Sequence, residues 1–592
     1  MKAGQGPRGW RLWALRLAVA GLAPLLFLGL AELGLRAVGY GHPTGFWVKN
    51  GDGSGSGTNA AFGRQFFPAA LAGRPWPAVL ATPKPPGTLR IFVLGESAAM
   101  GTPDPSFGFG RILEVMLRQE FPGRKCEVVN AAMRGINSHV VLPIARDCAG
   151  QEPDLFIVYM GNNEAVGLYA PEPDARSLAE HPALLRTMQR AKRTRLAQVF
   201  RAAAARLRPA PADERQDLAF YRRKRMAADD PRRAAVRENF RATLGAIHRL
   251  ARGAGAQTLL ATVAVNLRDC PPLASLHRAD LAPDIAVRWD AAFAGARALE
   301  RAGGREAALA TYRDLLQTDD HFADLHFALA QALAGGGEGE AAAAHFALAR
   351  DWDAMQFRAD SRLNGIIREA AAEGRAIQLA DAERALAGED GVPGGRLFYE
   401  HVHLRFDGDY MVARALLPQV AHALGLGAPA TVPTREECAR ALAFTEFDET
   451  DMLSAIATMT ARPPFPAQLD HATRQAAAEQ AVRERLGRFD RAAVGRATAV
   501  ARAAVAQRPE DWQLRFICGR MLLHTGDAAG AVEHLAEAVR LLPGNVVTRL
   551  ELANCLTQLR RPEETAAQLE AVLRLEPDHA SARAGLEGLR KR

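Results

Sequence analysis

Leu89-Arg90-Ile91-Phe92-Val93-Leu94-Gly95-Glu96-Ser97 reads as a strand that runs into a tight turn. Its apolar residues are nearly continuous rather than alternating, the pattern of a strand covered on both faces. Four more runs share it: Glu127-Val128-Val129 up to Asn130, Leu155 to Met160 up to Gly161, Thr258 to Val265, and a weaker Ala376 to Ala380 up to Asp381. Helical stretches separate them. Such an alternation predicts an α/β domain with a parallel sheet. Parallel sheets bind ligands beyond the carboxyl ends of their strands. The residues that follow each strand are therefore the candidates: Glu96-Ser97, Asn130 onward, Gly161-Asn162-Asn163-Glu164, and Asn266.

Ester chemistry needs a nucleophile, a base for its proton and donors for the developing oxyanion. Ser97 has small neighbours, Ala98 and Ala99, that leave its hydroxyl accessible, although a Ser after a strand also reads as a helix N-cap. Gly135 can turn its N–H toward the strand ends because no Cβ interferes, and an Asn amide after the third strand can donate. In Tyr399-Glu400-His401-Val402-His403 an acid precedes a His by three residues. In a tight loop that spacing lets a carboxylate hold one ring nitrogen while the other faces a serine.

Ser after strand one, Gly after strand two, G-x-N after strand three and acid-x-x-His near the end resemble the four blocks of the SGNH (GDSL-like) hydrolases. The resemblance covers about 88–165, 255–270 and 360–425. It implies a flavodoxin-like three-layer core and no cofactor. It also implies Ser97 as nucleophile, His403 as base and Glu400 as its orienting acid. The Ser97 N–H, the Gly135 N–H and the Asn163 amide would form the oxyanion hole. Glu96, Glu164 and Glu400 each stand where the family has Asp. Glu96 lies outside the implied triad, so its replacement of Asp is expected to matter little; Glu400 is one methylene longer than the usual acid. Two rival readings exist. His401 and His403 with Asp407 and Asp409 could hold a metal, though a lone H-x-H lacks a specific ligand set. The repeats described next could instead belong to an inactive scaffold for envelope assembly.

Those repeats have a period of 34 residues. Ala296 and Ala330, Gly303 and Gly337, Ala308 and Ala342, and Tyr312 and Phe346 are spaced so, as are Pro509, Pro543 and Pro577. The period and its small residues are similar to the tetratricopeptide pattern, which Gly519, Leu522, Ala531, Leu535, Ala538 and Pro543 follow in order. The next unit repeats it with Ala553, Leu556, Thr565, Leu569, Val572 and Pro577. An α-helical solenoid that holds a protein partner is expected.

Lys2, Arg8 and Arg11 precede an apolar run from Leu17 to Leu30, flanked by Trp13–Leu15 and Leu33–Val38. The segment approaches the roughly 20 residues a bilayer needs. Charges before the span keep that end in the cytoplasm, so the remainder is expected on the exported, periplasmic side of a bacterial inner membrane. A cleaved signal peptide is the rival reading. The net charge of +8 is partly local, in Arg186, Arg190, Lys192, Arg193, Arg195, Arg201, Arg206 and Arg208. That stretch reads as a solvated helix face or a contact for anionic lipid or polymer, and nucleic-acid binding is not expected. Six cysteines in 592 residues are no disulfide scaffold, although Cys148 and Cys270 could pair in an oxidising compartment.

The expected organisation is an anchor (1–40), a linker (41–87) containing Gly51 to Gly57, a first segment of the core (88–275) with a basic insertion at 170–250, inserted repeats (286–353), a second segment of the core (354–428) and a C-terminal array (475–592). The expected activity is ester hydrolysis on an O-acylated envelope carbohydrate or lipid, with O-acyl transfer from the same site as the alternative.

Overall fold

The computed structural model describes residues 8–50, 53, 55–67, 72–171, 182–207, 224–374, 376–388 and 390–590. Helices dominate it, around a smaller parallel sheet.

Three short strands, β1 (Trp47–Lys49), β2 (Gly55–Thr58) and β3 (Val79–Ala81), form an antiparallel sheet. Residues 41–87 were expected as a linker, and this sheet corrects that. Gly and Ser content suggested flexibility, but Gly55 is packed: a Cβ there would fall 1.9 Å from the Leu80 carbonyl oxygen. The parallel sheet comprises β4 (Thr88–Gly95), β5 (Lys125–Asn130), β6 (Leu155–Tyr159), β7 (Gln257–Ala261) and β8 (Ile377–Ala380). Their spatial order is β5-β4-β6-β7-β8, with every neighbouring pair parallel. Arg90 on β4 is buried and donates to Ala81 O at 3.0 Å and to Glu127 at 2.7 Å, joining the two sheets.

Helices Phe109–Glu120 and Phe406–Ala423 pack together on one face of the parallel sheet; Ser138–Ala149, Arg232–Gly253 and Ser361–Glu373 cover the other. Right-handed crossovers from this strand order require such an arrangement. Arg232–Gly253 was expected within the basic insertion, yet it is a layer of the sheet domain. Its stripe Val236, Phe240, Leu244, Ile247 and Ala251 recurs every three or four residues and is buried. Of the rest of that insertion, Pro182–Lys192 and Arg195–Leu207 are helical, while 172–181 and 208–223, with Arg208, lie outside the described residues.

Paired antiparallel helices occupy 283–351 and 491–590. The residues 34 apart are their core: Ala296, Ala308, Tyr312, Ala330, Ala342 and Phe346 are all buried. Gly519 lets two helices touch, since a Cβ there would lie 2.6 Å from Leu535 Cγ. Leu535 is fully buried, a placement contributing roughly 1.5–3 kcal/mol. The turns between paired helices need a left-handed residue. Gly303, Gly337 and Gly526 supply it at φ +90°, +84° and +82°, and Arg560 does so at +55°.

The C-terminal array is docked on the sheet domain rather than trailing from it. Arg111 contacts Asp511 at 2.6 Å and Glu114 at 2.7 Å, Arg508 joins both acids, and Trp76 lies against Trp512. All six cysteines are free thiols, so Cys148 and Cys270 are unpaired. At the N-terminus the helix Arg8–Ala37 contains a 25-residue apolar stretch, Trp13–Ala37. Its apolar window is not buried by the rest of the chain.

Candidate active site

Three of the four sequence blocks follow β4, β5 and β6 directly, and the fourth, Glu400–His403, comes after β8 and packs against Asn266, which follows β7. β4 ends at Gly95, which has no room for a side chain: a Cβ would meet Tyr159 O at 2.0 Å. The chain then turns into the single helical turn Ser97–Met100, and Ser97 is half-buried at its start. A first-turn N–H has no intrahelical acceptor. The turn is held from below, because Asn130 Nδ2 at the end of β5 donates to Met100 O at 2.9 Å.

After β5 the chain crosses over the end of β4: Ala131 N donates to Val93 O at 2.9 Å and Met133 N to Gly95 O at 3.3 Å. Gly135 follows at φ +68°, a conformation that suits glycine. After β6, Asn163 Nδ2 donates one hydrogen to Ile136 O at 2.9 Å, and its amide has a second to offer. The Gly135 and Asn163 loops are thereby in contact.

Glu96, outside the implied triad, ties the site together. Its side chain is buried and accepts the backbone N–H groups of Gly161, Asn162 and Asn163 at 3.3, 2.8 and 3.2 Å. One carboxylate thus fixes the Asn163 loop to the residue preceding Ser97. Glu164 works alongside it, accepting from Ser138 N at 2.8 Å and Ser138 Oγ at 2.7 Å. Burial pushes the Glu96 carboxyl well above the usual range, and the nearby Glu164 charge adds to this. Burial likewise raises Glu164, to about 7, against the opposing pull of Ser138.

His403 lies in a closed loop, with Tyr399 N donating to His403 O at 2.8 Å and Phe398 bridged to Leu404. Glu400 Oε1 accepts from the His403 backbone N–H at 2.7 Å. The same oxygen stands 2.7 Å from His403 Nδ1, off the ring's N–H axis. The other ring nitrogen, Nε2, is buried and has no hydrogen-bond partner among the described residues, so Ser97 Oγ is not bonded to it here. Burial pushes the His403 imidazole down from 6.5, with the Arg134 charge acting the same way. A neutral ring is the form that can accept a proton.

His401, which had no role in the sequence scheme, contacts the second oxygen of the same acid: its Nδ1 meets Glu400 Oε2. Glu400 lies between two imidazoles, and neither ring nitrogen has hydrogen-bond geometry to it. The acids of the alternative metal set face elsewhere, Asp407 toward Arg435 at 2.5 Å and Asp409 toward Phe109 N at 2.9 Å.

Asn266, already a candidate by its place after a strand, and two residues that carried no sequence signal, Arg358 and Ala359, join the His loop to the sheet. Asn266, after β7, donates from its backbone to His401 O and from Nδ2 to Glu400 O, both at 2.9 Å. Arg358 donates to Asn266 O at 3.0 Å and Cys270 O at 2.9 Å, and pairs with buried Asp353 at 3.2 Å. The next residue, Ala359, donates its N–H to Asn162 Oδ1 at 3.0 Å. The segment leaving the inserted repeats therefore clasps the His loop to the Asn163 loop.

A helical-repeat model described as "Tetratricopeptide repeat" matches residues 522–588. No curated protein matches the chain. Among solved structures, a mutant O-GlcNAc transferase from Thermobaculum terrenum is similar at 23% identity, over 17% of this chain and 19% of its own length, with a TM-score of 0.16. The Yersinia enterocolitica type III secretion chaperone SycD, in complex with a peptide of the translocator YopD, is 13% identical over 24% of this chain and 94% of its own, TM-score 0.16. A thermophilic repeat protein of Thermus thermophilus is 12% identical over 51% of this chain and all of its own, TM-score 0.16. The chain thus pairs tetratricopeptide-like helical repeats with a smaller parallel-sheet region.

Proposed function

We propose that the protein is a membrane-anchored serine esterase of the SGNH type, acting on an O-acylated carbohydrate or lipid of the cell envelope. The observation that carries this reading is His403. Its Nε2 is buried and uncommitted, its Nδ1 is backed by Glu400, and its loop is clasped to the loop of the implied oxyanion donor. The strand order supports the same reading, because it is the flavodoxin-like order, whose ligands bind beyond the carboxyl ends of the strands.

In this scheme Ser97 Oγ attacks the ester carbonyl carbon and its proton passes to His403 Nε2. The carbonyl π electrons move onto oxygen, which the Ser97 N–H, the Gly135 N–H and Asn163 Nδ2 receive. Collapse breaks the ester C–O bond, and Nε2 returns its proton to the departing alcohol. Water then releases the acyl group from Ser97 by the same steps in reverse; an acceptor hydroxyl in place of water would give O-acyl transfer. The apolar N-terminal stretch would hold the chain in the membrane, with the sheet and repeats on the exported side. The repeats would hold a protein partner, as concave helical arrays do. The cleft of about 590 Å³ between the β1–β3 sheet and the array, lined by Arg540, Arg549 and Arg574, suits an acidic segment.

The test is labelling with a serine-reactive phosphonate together with hydrolysis of a small aryl ester. Ser97→Ala should lose both, and His403→Ala should lose hydrolysis nearly as completely, because nucleophile and base act as one unit. Asn163→Ala should lower turnover by roughly 10²–10³, the usual cost of one oxyanion donor. An undiminished rate in Ser97→Ala would remove the serine mechanism.

A further inference from the structure

The helix Arg195–Leu207 has its apolar side turned outward. Phe200, Ala203, Ala204 and Leu207 follow an i, i+3, i+4, i+7 spacing and so share one face. All four are exposed, Phe200 at 67% and Leu207 at 83%. The helix is held against the base of the N-terminal helix: Leu196 N donates to Glu32 Oε2 at 3.0 Å. Gln198 exchanges two hydrogen bonds with the His42 backbone, both at 3.0 Å. Thr44 Oγ1 donates to Arg193 O at 3.1 Å.

The position of Glu32 sets the depth. About 20 helical residues at 1.5 Å each cross a hydrocarbon layer roughly 30 Å thick. Counted from Trp13, that distance ends at Glu32, so an element bonded to Glu32 stands where hydrocarbon gives way to headgroups. The charge there is positive. Arg186, Arg190 and Arg206 are exposed and have no acidic partner among the described residues, while the neighbouring acids are already engaged, Asp147 by Arg193 and Glu32 by Arg36. Crowding agrees with this: burial and then the charges of Arg193, Arg190 and Arg186 hold Arg146 below its ordinary value, only partly offset by Asp147.

We propose that Arg195–Leu207 lies in the headgroup layer beside the membrane span, with Phe200, Ala203, Ala204 and Leu207 at the acyl boundary and Arg186, Arg190 and Arg206 on the phosphates of anionic phospholipids. The placement rests on the anchor reading. It deepens that reading by turning a single tether into a surface contact that fixes the orientation of the sheet domain over the bilayer. An outward apolar stripe with flanking cations is the build of an interfacial helix, and its continuity with the span selects a lipid surface as the occupant.

The test uses the full chain in vesicles of equal parts phosphatidylethanolamine and phosphatidylglycerol. A photo-crosslinking amino acid replaces Phe200, Leu207 or, as control, the exposed Val547 of the C-terminal array. Phospholipid adducts are expected from the first two and not from the third. Charge reversal by Arg186→Glu, Arg190→Glu and Arg206→Glu should cut the yield at least about fivefold in these vesicles, and should change it little in phosphatidylcholine alone. Adducts only to this chain's own 208–223, or no lipid adduct while the chain still floats with the vesicles, would overturn the proposal and leave the anchor standing. A chain that fails to float would remove the anchor and the proposal together.

Discussion

Replacing Arg358 with methionine should loosen the loop that carries His403 without touching any residue of the proposed triad. Arg358 is buried, and its guanidinium meets Asn266 O, Cys270 O and the Asp353 carboxylate at 3.0, 2.9 and 3.2 Å. Methionine keeps much of the volume and removes every donor. Breaking a buried ion pair from one side typically costs about 3–5 kcal/mol. Asp353 keeps three backbone donors, Leu273, Ala274 and Met355 at 2.9, 3.1 and 3.0 Å, so its charge is not stranded and the lower end, about 3 kcal/mol, applies. A chain of this size need not unfold in one step, so the assay is amide hydrogen exchange, which reads local opening. At 1.36 kcal/mol per decade, the amides of Asn266, Leu273, Ala274 and Ala359 should exchange roughly two orders of magnitude faster. The amides of β4 should not change. Less than about a threefold change at those four amides would refute the view that Arg358 is the clasp.

His401→Ala should lower aryl-ester turnover by up to about tenfold, because its ring packs against Glu400 without hydrogen-bonding to it; silence in steady-state kinetics would mean that His401 does not position Glu400. Glu164, raised to about 7, stays protonated in the folded chain after its unfolded counterpart ionises near 4.5. Its contribution to stability is therefore full below about 4.5 and lost as pH rises through about 7, and thermal melts of Glu164→Gln should show a shallower decline over that window. Arg560→Gly should raise the melting temperature of the C-terminal array, by up to about 1 kcal/mol in stability, because glycine adopts φ +55° without strain while arginine does not; a lower melting temperature would show that the exposed arginine side chain contributes more than the turn costs it.

The strands were legible because both faces of the sheet are covered, which leaves an unbroken apolar run in each of β4, β6 and β7. The repeats were legible because small residues at Ala296, Ala308 and Gly519 occur where helices touch, and that need returns every 34 residues. Other features leave weaker traces. Arg232–Gly253 was hidden by its arginine-rich outer face, although the stripe Val236, Phe240, Leu244, Ile247 and Ala251 was there to be counted. The Gly-rich stretch near Gly55 misled because composition does not tell a floppy glycine from one pressed against Leu80 O. The tie made by Glu96 left no trace in the sequence because its three donors lie 65 to 67 residues away. Arg358 and Asp353 belong to no motif at all. His401 could have been found, since an acid flanked by His at the next and third positions can meet both rings in one tight loop.

The clasp also explains how a solenoid can interrupt the sheet domain without disturbing it. The inserted helices begin after β7 and end before β8, yet their two ends are pinned together: Asp353 reaches back 80 residues to accept the Leu273 N–H, and Arg358 reaches Cys270 O. With the ends closed, the entropy cost of the long excursion grows only slowly with its length, and β7 and β8 pair as direct neighbours. The closing residues are also the ones that hold Asn266, and through it the backbone of Glu400 and His401. A load on the inserted repeats therefore has a short covalent and hydrogen-bonded route to the proposed base, through Asp353, Arg358 and Asn266. The C-terminal array bears instead on the helix Phe109–Glu120 through Arg111 and Asp511. The two sets of repeats thus grip the sheet domain at different places, and the inserted set adjoins the His403 loop through the Arg358 clasp.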